Sequence, residues 1–328
     1  MPELVPPKVA VIGAGDIGCG WATLAVSRGW SVAIFDTDTG VLHKASDSIA
    51  ERAGRLVAIG HADEITTRSG LESLRLARSL LLAVNEADWI IEATPEDLSA
   101  KQRALEHIEQ VCRLKAVLAS STSGLLASDL CGRLSRPDRL AVIHPLSPVE
   151  FLPVVEIVPS QLSDPACVED IRFWLTGLGR VPIVLQKEIP GGVVGRISAA
   201  VWRECIHLVL EGVVDVQDVD TAVEMGPSLR WSAAGPHLSH HLSAREQGLE
   251  MFLSNLLSTY EGWWEALAKW DKISAEDQHR LIKAVEKAYG AQLPRLRAAR
   301  DTRLARMLNA LSEEEPQSIP GGGEGFIE

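Results

Sequence analysis

The chain has 328 residues, 46% of them hydrophobic and 23% charged, with a formal net charge of −12. That length exceeds what one hydrophobic core fills, so about two domains are expected, and the acidity disfavours nucleic acid and anionic membrane surfaces as partners. The five cysteines are dispersed without Cys-x-x-Cys spacing, which argues against a disulfide framework or a zinc site. The start MPELVPPKVAVIG lacks the basic and apolar regions of a signal peptide. No uncharged apolar run approaches the roughly 18–20 residues that span a bilayer, so a cytoplasmic protein is expected.

In chain order, KVAVI at 8–12 is a short apolar, β-branched run suited to a buried parallel strand. A glycine-rich turn follows, then helix-compatible spacing over 17–29 that ends at Gly29, then a second strand, SVAIF, at 31–35. Strand, turn, helix and strand in so few residues form one βαβ unit. Residues 40–80 carry helical periodicity and are read as helices on the sheet flank. Five further strand-like runs follow at 89–93, 116–120, 139–143, 154–158 and 181–185, each separated by a turn or helical segment. The alternation predicts an α/β fold, a Rossmann-type doubly wound parallel sheet.

After Pro190 the texture turns helical and rich in Leu, Ala, Glu and Trp. The predicted organisation is a dinucleotide-binding domain at 1–188, an all-helical domain at 189–311 and a disordered acidic tail at 312–328, with QKEIPGG (186–192) as the hinge.

The turn GAGDIG places Gly13, Gly15 and Gly18 in Gly-x-Gly-x-x-Gly spacing, with Ile17 between them. Gly13 permits the tight turn, Gly15 lets a pyrophosphate approach the backbone, and Gly18 lets helix pack on strand. Alone the motif is weak. Here it follows a strand, opens a helix and is succeeded by Asp36 at the end of the second strand. A carboxylate there can accept hydrogen bonds from the adenosine ribose and repels a 2′-phosphate, so NAD is expected rather than NADP.

His144 directly follows the strand-like run RLAVI, and Glu156 is a lone carboxylate inside VVEIV. Ligands of open α/β sheets gather beyond the carboxyl ends of strands. A buried carboxylate needs a partner, and an imidazole is a good one. The carboxylate would fix the tautomer and raise the basicity of the far ring nitrogen, giving a base able to take a hydroxyl proton. The bland alternative is a solvent-facing strand Glu and an unrelated loop His.

SSTSGLLASDL (120–130) followed by HPLSPVEFLPVVEIV (144–158), together with the glycine turn and EATPEDLSAK (92–101), resembles the 3-hydroxyacyl-CoA dehydrogenase superfamily. The resemblance covers most of residues 8–235 and is closest to the branch that holds L-carnitine dehydrogenase and the lambda-crystallin/gulonate dehydrogenases. It implies an NAD-dependent oxidation of a secondary alcohol, with His144 as catalytic base, Glu156 as its partner and Ser123 bonding the substrate oxygen. It further implies that Glu96 and Lys101 lie near the nicotinamide ribose and carboxamide. Ser147, in HPLSP, falls where many members carry Asn at the cofactor site. The family also implies a homodimer formed through the helical domain. Gly195, in PGGVVGR, replaces a substrate-binding Asn of the family. That departure disfavours a CoA thioester and leaves a carnitine-like 3-hydroxy acid ahead of a sugar acid and an acyl-CoA.

In the helical domain, MGPSLRWSAAGPHLSHHL (225–242) resembles a substrate motif of that branch. Arg230 could pair with a substrate carboxylate, with Trp231 beside it; a surface ion pair is the alternative. His237, His240 and His241 have no Cys or Asp nearby to complete a ligand set, so no metal is expected. Trp202, Trp231, Trp263, Trp264 and Trp270 could cage a trimethylammonium group, although core and interface packing explains any single one more simply. A non-catalytic NAD-binding or crystallin-like protein is a rival reading, but such a protein needs none of Ser123, His144 and Glu156.

Overall fold

The computed structural model describes residues 6–243 and 247–313. Two compact units emerge: one from the chain up to Gly195 and again from Arg297 onward, the other from Arg196–Leu296.

The first unit is built on one eight-stranded sheet. Its strands are β1 (Val9–Ile12), β2 (Val32–Phe35), β3 (Arg75–Leu76), β4 (Trp89–Glu92), β5 (Val117–Ser120), β6 (Leu140–Pro145), β7 (Val154–Pro159) and β8 (Val181–Val184). Their order is β3-β2-β1-β4-β5-β6-β7-β8, so the chain reverses direction across the sheet between β1 and β4. That switch point opens a crevice at the carboxyl ends of the strands. Both faces are covered between the edge strands, which is why the inner strands read as continuous apolar runs rather than as alternation; on β8, Val181 and Ile183 are 54% and 40% exposed. Val9, Val11, Trp89 and Ile91 point into one core with Trp21 and Ile171; Ala10, Ile12, Ile90 and Leu118 point into the other with Leu105 and Ile108.

All strand pairs are parallel except β6 with β7. β6 ends at Pro145 and β7 begins at Val154, a link too short for the crossover of a dozen or more residues that a parallel pair needs. The sheet is therefore mostly, not wholly, parallel. The 40–80 region holds the helices Thr39–Ala58 and Glu64–Ser73, capped by Asp38 and Asp63, and, where the periodicity predicts helix, the short edge strand β3.

The second unit is helical throughout its regular structure, with Val216–Val223, Gly248–Ala266 and Ala275–Tyr289 among its helices. The helix Leu293–Glu313 crosses back into the first unit. Ala305 packs there with Leu56 and Phe151, and Asn309 donates to the Ile59 carbonyl at 3.1 Å. The helical domain expected to run to 311 thus differs from the observed division, because Leu304, Ala305 and Leu308 of this helix pack within the first unit. The expected tail from 314 onward lies outside the described residues. No described helix is long and apolar enough to cross a membrane.

Candidate active site

The glycine turn leaves β1 and enters the helix Asp16–Ser27. Gly13 sits at φ +107°, and a Cβ on it would lie 2.4 Å from the Ala93 carbonyl oxygen, so only glycine lets β1 and β4 close together there. A Cβ on Gly18 would fall 1.9 Å from the Gly13 carbonyl oxygen. Gly15 is different: its surroundings are open, with no atom within 4 Å of where a Cβ would stand. It is also the helix N-cap, with no side chain to cap the first amides. Free amides, a positive helix end and open space are what a pyrophosphate requires. Ile17 packs against the core beneath the turn. Asp36, just past β2, is pinned by the backbone N–H of Ala14 at 2.8 Å and of Asp38 at 2.9 Å, which holds a negative acceptor beside the turn. These residues fit a dinucleotide.

Beyond the carboxyl ends of β5 and β6 lies a small cleft lined by Thr122, Ser123, Gly124, His144, Glu156 and Gly192. The antiparallel register sets His144 directly opposite Glu156, and the His144 Nδ1–H donates to Glu156 Oε2 at 2.8 Å. Glu156 is 1% exposed. Its other oxygen, Oε1, accepts the backbone N–H of Val193 at 2.6 Å and of Val194 at 2.9 Å. These are first-turn amides of the helix Gly192–Leu210, so one carboxylate both caps a helix and orients the imidazole. A carboxylate accepts only, so this network leaves Nδ1 protonated and the Nε2 lone pair free. A Cβ on Gly192, at φ +58°, would meet Glu156 Oε2 at 2.3 Å.

Ser123 stands in the loop after β5. Its hydroxyl makes no intramolecular hydrogen bond among the described residues, and its backbone N–H donates to Glu96 Oε1 at 3.0 Å. The same oxygen accepts from the Gly124 N–H at 3.0 Å and from the Thr122 hydroxyl. Partial burial pushes the Glu96 carboxyl up, but the bonds from Thr122, Gly124 and Ser123 and the nearby Lys101 charge outweigh it and hold the group below the usual range. Glu96 therefore fixes the Ser123 loop. Lys101 is 1% exposed. Its ammonium donates to Glu92 at 3.1 and 3.3 Å and to the Thr94 carbonyl at 2.9 Å, and lies 3.6 Å from Glu96. Direct contact of Lys101 with a cofactor would require one of these bonds to be given up. Glu92, fully buried at the end of β4 and also bonded by the Ser120 hydroxyl, was missed. The argument applied to Glu156, a lone carboxylate in an apolar strand, would have found it.

Ser147 is exposed in the turn after β6, and Gly195 is surrounded by open space in the first turns of its helix. Arg230 and Trp231 lie in the second unit, on the short helix Leu229–Ala233. Among the described residues, Arg230 is exposed and forms no ion pair, and the buried Trp231 indole N–H has no hydrogen-bond partner. His240 stacks on Phe252 at 4.5 Å, and Tyr260 contacts Trp263 at 4.9 Å and Trp264 at 6.0 Å. His241 Nδ1 accepts the Leu249 N–H at 3.1 Å.

Comparison with known proteins agrees with this architecture. Residues 8–189 match the 3-hydroxyacyl-CoA dehydrogenase NAD binding domain, and residues 191–284 match the C-terminal domain of the same family. The chain is similar to L-carnitine dehydrogenase of Bacillus cereus, 31% identical over 94% of each chain. It is also similar to that of Oceanobacillus iheyensis, 32% identical over 85% of this chain and 89% of the other. Among solved structures, an NAD-dependent dismutase, 5-formyl-3-hydroxy-2-methylpyridine 4-carboxylic acid 5-dehydrogenase, superposes with a TM-score of 0.81 at 25% identity, covering 95% of this chain and 100% of that one. A 3-hydroxyacyl-CoA dehydrogenase from Archaeoglobus fulgidus gives 0.63 at 26% identity, covering 92% and 99%. The chain belongs to the 3-hydroxyacyl-CoA dehydrogenase family and is an NAD-dependent dehydrogenase acting on a CH–OH group.

Proposed function

We propose that the protein oxidises the secondary alcohol of a small, free-carboxylate 3-hydroxy acid of carnitine type to the ketone. The observation that carries the chemistry is the hydrogen bond of His144 to a buried Glu156 that two backbone amides hold in place. His144 Nε2 takes the hydroxyl proton, and the fixed carboxylate stabilises the imidazolium that results. NAD, when bound, accepts the hydride. Gly13, Gly15, Ile17, Gly18 and Asp36 would hold it, and the family resemblance adds Ser147 to the cofactor site. Glu96 keeps the Ser123 loop in position through three hydrogen bonds, and the buried Lys101 supports Glu96. Ser123, with its hydroxyl uncommitted, bonds the substrate oxygen.

The substrate class rests on the relatives and on two residues. The matched relatives include L-carnitine dehydrogenases, whose named substrate is a free acid. Gly195 offers no side chain to a thioester carbonyl. Arg230, unpaired among the described residues, is the candidate anion partner, with Trp231 beside it. The test is NADH formation on L-carnitine, gulonate and 3-hydroxybutyryl-CoA, with Arg230→Lys alongside. Turnover of the free acid should exceed that of the thioester, and Arg230→Lys should raise KM without weakening NADH binding. Faster turnover of the thioester at equal concentration would reject the substrate assignment.

The same reading makes the protein a cytoplasmic homodimer associated through its helical unit. Trp202, Trp263 and Trp264 of that unit are 65%, 57% and 55% exposed in the single chain, and large aromatic side chains open to water are what a second copy would cover. Sedimentation equilibrium should give twice the chain mass.

A further inference from the structure

The first helical residue after Gly15 is Asp16, a carboxylate at the place where the glycine turn should welcome phosphate. Like charges within one helical turn oppose each other, and an acidic side chain there also competes for the positive helix end. The structure carries a counterweight. Arg52, on the helix Thr39–Ala58, reaches across with its side chain only 15% exposed. One of its terminal nitrogens donates to Asp16 Oδ1. The other donates to both oxygens of Glu150, at 3.2 and 3.3 Å, and Nε donates to the Ser48 hydroxyl at 3.3 Å. The Glu150 side chain is 2% exposed, whereas that of Asp16 is 65% exposed. The buried carboxylate thus anchors the guanidinium, and the exposed one receives it. An opening lined by Ala14, Gly15, Asp16, Lys44, Ser48 and Arg52 lies beside the pair.

We propose that Arg52 is a positioning residue for the cofactor: anchored by Glu150, its guanidinium cancels the Asp16 carboxylate at the phosphate end of the glycine turn. Glu150 is also faced by Arg55 at 3.9 Å, so the two arginines and two carboxylates together are neutral, and neither Asp16 nor Arg52 need touch the cofactor. The inference rests on the assignment of the glycine turn to the NAD pyrophosphate.

The experiment is NADH binding, followed by fluorescence titration without substrate, for the wild type and four variants. Arg52→Gln should weaken NADH binding about tenfold at low ionic strength, with the deficit shrinking as salt is added. Asp16→Asn in the Arg52→Gln background should restore Kd to within about twofold of wild type. An Arg52 that served only to satisfy buried Glu150 would show no such rescue. Unchanged binding in Arg52→Gln, or a double variant as weak as Arg52→Gln alone, overturns the proposal. If Arg52→Gln does not fold, Asp16→Asn alone decides. It removes a negative charge and frees the guanidinium, so NADH must bind more tightly than in wild type, and equal or weaker binding overturns the proposal. Gly15→Val separates the two levels. Loss of NADH binding upholds the glycine-turn assignment whatever Arg52 does, and unaltered binding removes that assignment and the inference with it.

Discussion

Replacing Glu156 with Gln keeps the shape of the side chain and changes one atom, and the surrounding donors dictate which way the amide turns. Oε1 receives two backbone N–H groups, from Val193 and Val194, and Oε2 receives one, from His144. A glutamine has a single oxygen. Turned toward the backbone, that oxygen keeps two bonds and presents the NH2 to His144. Turned the other way, it keeps one bond and sets NH2 against two buried amide donors. Each buried donor left unpaired costs about 1–3 kcal/mol, so the first orientation wins by a few kcal/mol. His144 Nδ1 must then accept, its proton moves to Nε2, and the lone pair that should take the substrate proton is gone. The expected loss in kcat is about 10²–10⁴-fold, with NADH binding within about twofold of wild type because Glu156 lies apart from the glycine turn. The assay is steady-state NADH formation across pH, paired with NADH titration and thermal melting. A well-folded Glu156→Gln enzyme with wild-type kcat at neutral pH would refute both the tautomer argument and the role given to His144.

The glycine turn gives a sharp contrast: Gly13→Ala should lower the melting temperature, since its Cβ would lie 2.4 Å from a carbonyl oxygen at φ +107°, whereas Gly15→Ala should melt like wild type and weaken NADH binding. Equal effects on both measurements would show that the two glycines do not divide the work. Asp36 should set the cofactor choice: kcat/KM for NAD should exceed that for NADP, and Asp36→Ser should narrow the ratio while leaving the fold intact. For Glu96, a carboxyl held below its ordinary value of 4.5 contributes stability that is present above that pH and lost as pH falls through the lowered folded value. Glu96→Gln should therefore melt lower than wild type at neutral pH, and the gap should close in acid; a gap independent of pH would contradict this.

The inner strands are legible because a sheet covered on both faces demands continuous apolar runs, and β8 is legible because its residues are apolar although Val181 and Ile183 stay exposed. β3, with two residues at the sheet edge, leaves no such trace. The antiparallel turn of β7 is signalled only by its short link to β6, against the parallel pattern that the other strands set. It matters, because His144 and Glu156 meet only through that antiparallel register. Residue chemistry made the pair a candidate and the family resemblance assigned its roles, while the sheet supplies the geometry. What the sequence could not convey were contacts made by backbone groups or across long separations. The Val193 and Val194 amides have no side-chain signature, and Arg52 meets Glu150 across 98 positions. Lys101 was placed near the cofactor by resemblance; its burial against Glu92 depends on where the helix Leu98–Val111 packs, which no local pattern states.

The return of the last helix has a consequence for recombination. The chain leaves the first unit near Gly195 and re-enters it near Arg297, so the helical unit is an insertion rather than an appendage. A chimera made with one crossover near residue 195 would bring a foreign terminal helix onto Leu56 and Phe151 and would have to rebuild that seam by chance. Exchanging the helical unit between relatives therefore calls for two crossovers, with the native segment after residue 296 kept alongside its own nucleotide-binding half.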